Sequence, residues 1–310
     1  MEPVTRAVID VGTNSVKLLV GIVEGRNVSP LLEKSEQTRL GEGFYETHHL
    51  QTEKIQKTAE AVGAYTKEAS SAFELSSLRI IATSAARDAH NKQELLDAIR
   101  DASGLSVEVI SGDQEADWVF EGVTSDPVFA AEPLLVIDVG GGSTEIIAGR
   151  EANTFYRQSF KMGTVRLMES LRLQDPPSSE DWKRCHKTLS EFLRNEVVPP
   201  ISPVIEAGFR LVATGGSATI LARIKYSLRS FERDKIEGAV ITLAELREIS
   251  ERLWSLPLAE RKLIVGLPSK RADVILTGAA IYIVVMEELG FDQIYVSTRG
   301  LRYAALLQSR

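Results

Sequence analysis

The chain has 310 residues, 44% of them hydrophobic and 25% charged, with 22 glycines and 11 prolines. At roughly 150 residues per domain that length predicts two folded domains, and the composition excludes disordered, fibrous and peptide-scaffold classes. Against 43 acidic residues stand 36 basic ones, a net charge of −7; no global positive field exists to drive unspecific binding to nucleic acid or membrane surfaces, so an anionic ligand must meet a local basic cluster.

The β-branched, apolar run Thr5–Val11 predicts a strand, and after Gly12-Thr13-Asn14-Ser15 a second run from Val16 to Val23 predicts its hairpin partner. That strand starts too early to leave room for a signal peptide, and no apolar run approaches the ~18 residues of a membrane span. The protein is therefore expected to be cytoplasmic. Helical spacing of Ile55, Ala59, Val62, Ala69 and Phe73 behind a Thr52 cap predicts a helix, followed by a buried strand at Arg79–Ala82. Asn91 with Glu94 reads as a capping-box start to a helix ended by Gly104, and Ser106–Ile110 resumes the sheet.

Proline and acidic residues over Thr124–Pro133 interrupt both periodicities and mark a domain boundary, giving an N-terminal domain over 1–125 and a C-terminal domain over 126–310. The last ~12 residues are expected to pack back on the first domain. Leu134–Val139, the turn Gly140-Gly141-Gly142-Ser143-Thr144 and Glu145–Ala148 then repeat the opening of the chain. At an offset of 128 Asp138 falls on Asp10, Gly140 on Gly12, Ser143 on Ser15 and Gly149 on Gly21, which predicts a duplicated architecture.

Further on, Ser178 with Asp181 opens a helix that Pro199, Pro200 and Pro203 are expected to end. Arg210–Ala213 is a strand running into Thr214-Gly215-Gly216-Ser217 and a helix through Ile224. Thr242 with Glu245 caps another helix, Ala272–Leu289 is a buried apolar one, and Gln293–Ser297 is the final strand, followed by a short helix. Cys185 is the only cysteine, which excludes an intrachain disulfide and a thiolate metal cluster. The four histidines, His48, His49, His90 and His186, show no ligand spacing, so a metal would be held by oxygen.

A strand that stops at an acidic residue and glycines places a carboxylate beside approachable backbone N–H groups, a tip able to hold phosphate and a cation together; a tight hairpin with a turn-capping Asp is the plainer alternative. With VIDVGTNSVKLLVG at 8–21 and VIDVGGGSTEIIAG at 136–149 stand ATSAARDAHN at 82–91, ISGDQEADWVFEGV at 110–123, ATGGSATILA at 213–222, KRADVILTG at 270–278 and STRGLRYA at 297–304. In their order and spacing these motifs resemble the exopolyphosphatase/guanosine pentaphosphate phosphohydrolase (Ppx/GppA) family over nearly the whole chain. The resemblance implies an α/β fold of two actin-like, ribonuclease H-like domains with an interdomain active cleft.

It also implies roles. Glu115 matches the family's water-activating glutamate, with Arg87 the matching donor to the terminal phosphoryl group. Taken alone, Ser111-Gly112 followed by acidic residues reads as a helix start that holds a carboxylate beside backbone amides, and a base role then requires nearby phosphate charge to offset the dipole. Gln114 stands where many relatives carry a second glutamate. Asp138 and Glu145, on the two sides of a glycine turn, are candidate ligands for Mg²⁺ or Mn²⁺, with Asp10 the matching carboxylate in the first loop. Gly12, Thr13, Asn14, Ser15, Gly140, Gly141, Gly142, Ser143 and Thr144 are candidate phosphate-binding residues. Thr214-Gly215-Gly216-Ser217 resembles the nucleoside-side glycine turn of the wider superfold, which makes Gly215, Gly216 and Ser217 further candidate phosphate-binding residues; packing of the helix near the phosphate cleft is the alternative. Lys17, Arg166, Arg271 and Arg299, with Lys161 and Arg302, are candidates for a positive track along a polyanion, each with solvated surface charge as its alternative.

The expected reaction is Mg²⁺-assisted release of terminal orthophosphate from inorganic polyphosphate. Hydrolysis of guanosine pentaphosphate, a non-catalytic alarmone or nucleotide sensor and a kinase of the wider superfold are the alternatives. Nucleic acid and membrane are not expected as partners, and a homodimer is left open. The G-x-x-x-x-G-K-[ST] phosphate loop is missing from the sequence, which excludes that class of NTPase chemistry.

Overall fold

An apolar, β-branched run with no polar face is stable only with both faces covered, and such runs sit in the middle of each sheet. In the computed structural model, which describes residues 2–151, 153–205 and 208–308, β1 (Val4–Val11), β2 (Val16–Glu24), β3 (Asn27–Glu36), β4 (Ser77–Ala82) and β5 (Val107–Val109) lie in the order β3-β2-β1-β4-β5. The first three are antiparallel neighbours; β4 and β5 join in parallel. Ala7, Ile9 and Val11 share a core with Val16, Leu18 and Val20 and with residues of helices Thr52–Ala72 and Lys92–Ser103. Because side chains alternate across a strand, Arg6, Val8 and Asp10 point to the other face. There Arg6 Nη1 donates to the Leu306 and Leu307 carbonyls at 2.7 and 3.2 Å, a favourable cation at the C-terminal end of helix Leu301–Leu307. Arg79 supports the same end through Ala305 O, pairs with Glu108 at 2.6 Å, and lies over Trp118 of helix Gly112–Thr124.

The chain divides into two units, one running to Ser125 and rejoined by the segment from Leu301, the other Asp126–Gly300. In the second, β6 (Pro133–Val139), β7 (Thr144–Arg150), β8 (Asn153–Phe160), β9 (Arg210–Thr214), β10 (Ala239–Thr242) and β11 (Gln293–Val296) are ordered β10-β11-β9-β6-β7-β8. Its core is centred on helix Ile275–Leu289, whose residues from Ile275 to Met286 are all buried. Both sheets present an antiparallel three-strand meander with a parallel strand beside its first member, the actin-like α/β arrangement, twice. The repeat reaches beyond the motif: the ladder slips between Val20 and Gly21 and again between Ala148 and Gly149, positions 128 apart. Leu31 and Phe155, the residues skipped at these two bulges, are exposed.

Several local expectations are corrected. The first long helix is capped at Gln51 rather than Thr52, with no side-chain cap bond. Asn91 precedes its helix, but its side chain is drawn to the Leu50 backbone, accepting from N at 2.8 Å and donating to O at 3.0 Å. The prolines do not stop the helix that begins at Ser179: a π-helical segment Leu193–Val197 leads into Val198–Ile201, where Pro199 and Pro200 occupy a first turn that needs no N–H. The apolar helix begins at Ile275, after a 3-10 turn at Ser269–Arg271.

Candidate active site

The first hairpin closes with Gly12 N donating to Ser15 O at 3.0 Å, and the ladder sets Asp10 opposite Lys17. Arg39 N and Gly41 N, from the segment after β3, donate to Asn14 O and Thr13 O. The tip's side chains are less well provided for. Asp10 Oδ1, Asn14 Nδ2 and Ser15 Oγ are buried with no hydrogen-bond partner, and so are Ser84 Oγ, Gln37 Nε2 and Thr38 Oγ1 nearby in the fold. A buried polar group left unsatisfied costs about 1–3 kcal/mol, so such a cluster belongs where a ligand or ordered water completes it. Burial pushes the Asp10 carboxyl above its ordinary range, against the opposing influence of Lys17 and Arg302.

Glu115 stands in the first turn of helix Gly112–Thr124, where Ser111 Oγ accepts from Gln114 N at 3.1 Å. Its side chain is nine-tenths buried, and Arg87 Nη1 donates to its Oε2 at 3.0 Å while also reaching Ile110 O at 3.2 Å. Arg87 is carried by the short helix Ser84–Asp88, which follows β4; Thr83 N donates to Val11 O. Arg79 and Trp118 fix the Glu115 helix on the face of the sheet that bears Asp10. Two candidates given separate roles from sequence, Glu115 for water and Arg87 for phosphate, are thus bonded to each other.

In the second hairpin Gly140 N donates to Ser143 O at 3.0 Å, and Asp138 pairs directly across the ladder with Glu145. Cross-strand neighbours share a face, so the two carboxylates are adjacent by construction. Glu145 is 1% exposed, which removes the reading of it as a solvated strand residue, and its Oε1 accepts from Ser159 Oγ of β8 at 2.6 Å. Thr144 Oγ1 donates to Met162 O at 2.5 Å. Gly215, after β9, holds φ +87°, and a Cβ there would fall 2.2 Å from Asp138 Oδ1. Gly163 meets the loop as closely: its Cβ would lie 2.6 Å from the backbone of Gly141 and Gly142. Tyr282 OH donates to Thr214 O at 3.0 Å; burial, with Asp138 next, pushes its phenol well above the ordinary range. Ser217 is buried against Gly278.

The basic candidates divide. Arg271 Nη2 lies 2.6 Å from where a Gly216 Cβ would be, at the head of helix Gly215–Lys225, and Lys17 faces Asp10. Arg166 Nε donates to Gly142 O at 2.9 Å, Arg299 Nε pairs with Asp126 at 2.9 Å, and Arg302 reaches Leu18 O and Glu33. These last three also brace the chain itself. Ser159 was not singled out from sequence, because its partner lies 14 residues away across a bulged hairpin. Three of the four histidines, unremarkable in spacing, are gathered by the fold: His48 and His49 lie 5.7 and 5.2 Å from His90, ring to ring.

Asp138 and Glu145 fit a hard divalent cation in ligand type and adjacency, and Mg²⁺ is commonly bound by one or two carboxylates with water and phosphate oxygens completing its shell. Among the described residues no group of three or more His, Cys, Asp or Glu is arranged around a metal position, so any cation here would depend on such added oxygens.

Two acidic–glycine hairpins, one in each unit and the second with two adjacent carboxylates, are set in the two sheets of an actin-like α/β fold. Residues 18–309 match the Ppx/GppA phosphatase family, and the chain belongs to that family. It is 31% identical over 310 residues to "Exopolyphosphatase 2" of Mycobacterium tuberculosis, covering 95% of each chain. Among solved structures, the Aquifex aeolicus Ppx-GppA enzyme matches with a TM-score of 0.81 and 31% identity over 99% of this chain and 100% of that one. An exopolyphosphatase from Cytophaga hutchinsonii matches with a TM-score of 0.88 and 25% identity, over 97% and 96%. Among the described residues no helix is long and apolar enough to cross a membrane.

Proposed function

We propose that the chain is a divalent-cation-dependent exopolyphosphatase that releases terminal orthophosphate from inorganic polyphosphate. The observation that carries this reading is the half-buried Arg87–Glu115 pair at 3.0 Å, which sets an anion-binding fork and a proton acceptor side by side. A guanidinium has five N–H donors, so Arg87 can hold Glu115 and address a phosphoryl oxygen together. Glu115 orients a water molecule and takes one of its protons as the water oxygen bonds to the terminal phosphorus. The bridging P–O bond then breaks, and its electron pair leaves with the shortened chain. Backbone N–H groups and hydroxyls of Gly12–Ser15 in the first unit bind the phosphate oxygens, and those of Gly140–Thr144 in the second unit offer donors of the same kind. Mg²⁺ or Mn²⁺ held by Asp138 and Glu145 would supply charge neutralisation at the phosphate oxygens. Lys17 and Arg271 are the basic residues assigned to the remaining polyanion.

Polyphosphate is favoured over guanosine pentaphosphate because the M. tuberculosis relative that carries the name exopolyphosphatase is matched over 95% of both chains. The test is orthophosphate release from polyphosphate, guanosine pentaphosphate and ATP side by side, with wild type and Glu115→Gln. A higher kcat/KM on polyphosphate is expected, with kcat reduced about 10²–10⁴-fold in the variant, the range typical of losing a general base. Preference for guanosine pentaphosphate would reassign the substrate, and a near-wild-type rate in Glu115→Gln would remove the mechanism.

A further inference from the structure

The unpartnered groups of the first unit are not confined to the hairpin that carries the motif. Ser84 Oγ is buried, 3% of the residue being exposed, and it has no hydrogen-bond partner. Its place in the fold is fixed from two directions. Val11 pairs with Ala82 in the parallel ladder and Thr83 N donates to Val11 O at 3.2 Å, so Ser84 begins its helix beside the carboxyl end of β1 and the turn at Gly12. Three residues on, Arg87 shares its helical face and bonds Glu115. Ser84 therefore stands between the hairpin and the Arg–Glu pair.

Asn14 Nδ2 and Ser15 Oγ of the hairpin turn that follows β1, and Asp10 Oδ1 near the end of β1, are likewise buried and unpartnered. An amide N–H₂ and two hydroxyls can all donate, and one carboxyl cannot occupy them all. Lys17 and Arg302 add positive charge near Asp10. Excess donors in a positive setting favour an oxyanion over neutral water.

We propose that Ser84 is a substrate-binding residue outside the glycine hairpins, donating from its hydroxyl to an oxygen of the terminal phosphoryl group and, after cleavage, of orthophosphate. This rests on the reading that Arg87 and the first hairpin receive that group.

The test uses the full chain with inorganic phosphate as the probe. Thermal unfolding and calorimetric titration are run on wild type, Ser84→Ala and Ser84→Thr, alongside kcat and KM on polyphosphate. Phosphate is expected to raise the melting temperature of the wild type. Ser84→Ala should melt at or above the wild-type temperature without phosphate, bind phosphate about tenfold more weakly, as loss of a hydrogen bond to a charged group implies, and change KM more than kcat. Ser84→Thr should restore binding. A wild type that does not bind phosphate would overturn the proposal. So would a Ser84→Ala chain that melts lower without phosphate yet keeps its full phosphate response, since that pattern marks a structural hydroxyl. Glu115→Gln separates the two ideas: it should lose turnover and keep the phosphate response. A Ser84-dependent response in a chain that cleaves no phosphoanhydride would sink the reaction and leave the binding site standing.

Discussion

At the same rung of the same ladder the first hairpin sets Asp10 opposite Lys17, and the second sets Asp138 opposite Glu145. The backbone frame is shared: the Gly-to-Ser turn bond at 3.0 Å, the parallel strand beside the first, even the bulge one strand out. The rung partner differs, and so does the tip, where Thr13 and Asn14 stand in place of Gly141 and Gly142. An acid–base rung beside orphaned amide and hydroxyl donors suits an anion, whereas a rung of two carboxylates suits a cation. Side-chain satisfaction differs in parallel. Asp10, Asn14 and Ser15 have buried atoms with no partner, while among the described residues no side-chain atom of the second hairpin is in that position. The two hairpins are thus equivalent frames that carry different charge at the same rung.

The sharpest way to break this comparison is to make the second rung copy the first. Glu145→Lys should reduce phosphate release by at least about 100-fold, since even residues that merely support metal ligands cost 10–100-fold; activity near wild type would show that the acidic rung has no role. The reverse change, Lys17→Glu, should weaken polyphosphate binding by about tenfold, read as KM, because it replaces a cation facing the anion site with a second carboxylate opposite Asp10. Gly215→Ala should destabilise the fold by about 1–3 kcal/mol in denaturant titration, as a side chain at positive φ is strained and its Cβ would strike Asp138.

The smallest effect separates stability from function. Because burial raises the Asp10 pKa above 3.8, the folded state favours the neutral acid. Ionising it at neutral pH costs stability that is retained only at pH below the unfolded value and is lost as pH rises through the folded pKa. Asp10→Asn should therefore raise the melting temperature at neutral pH, with the gain shrinking as pH falls toward 3.8, while activity declines. A lower melting temperature at neutral pH would contradict the assignment.

Much of the frame was readable from short stretches: β1, β2, β6 and β7 are apolar runs broken by glycine turns, and Ser178–Asp181 and Thr242–Glu245 form the capping boxes their spacing suggests. The third strands were not, because β3 and β8 are exposed edges whose bulges break the alternation on which strand reading depends. At the site, residue types and loop positions were legible, but bonding was not. That Arg87 holds Glu115, that Ser159 holds Glu145, and that Arg299 is tied to Asp126 are contacts between segments 14 to 173 residues apart, and no local pattern encodes them.

The division of labour is tested most directly by titrating Mg²⁺ against orthophosphate release from polyphosphate for wild type, Glu115→Gln and Glu145→Gln. The account predicts that Glu145→Gln raises the Mg²⁺ concentration needed for half-maximal rate and recovers at high Mg²⁺, whereas Glu115→Gln lowers the maximal rate at an unchanged Mg²⁺ requirement. The opposite pattern, or a Glu145→Gln enzyme indifferent to Mg²⁺, would contradict it.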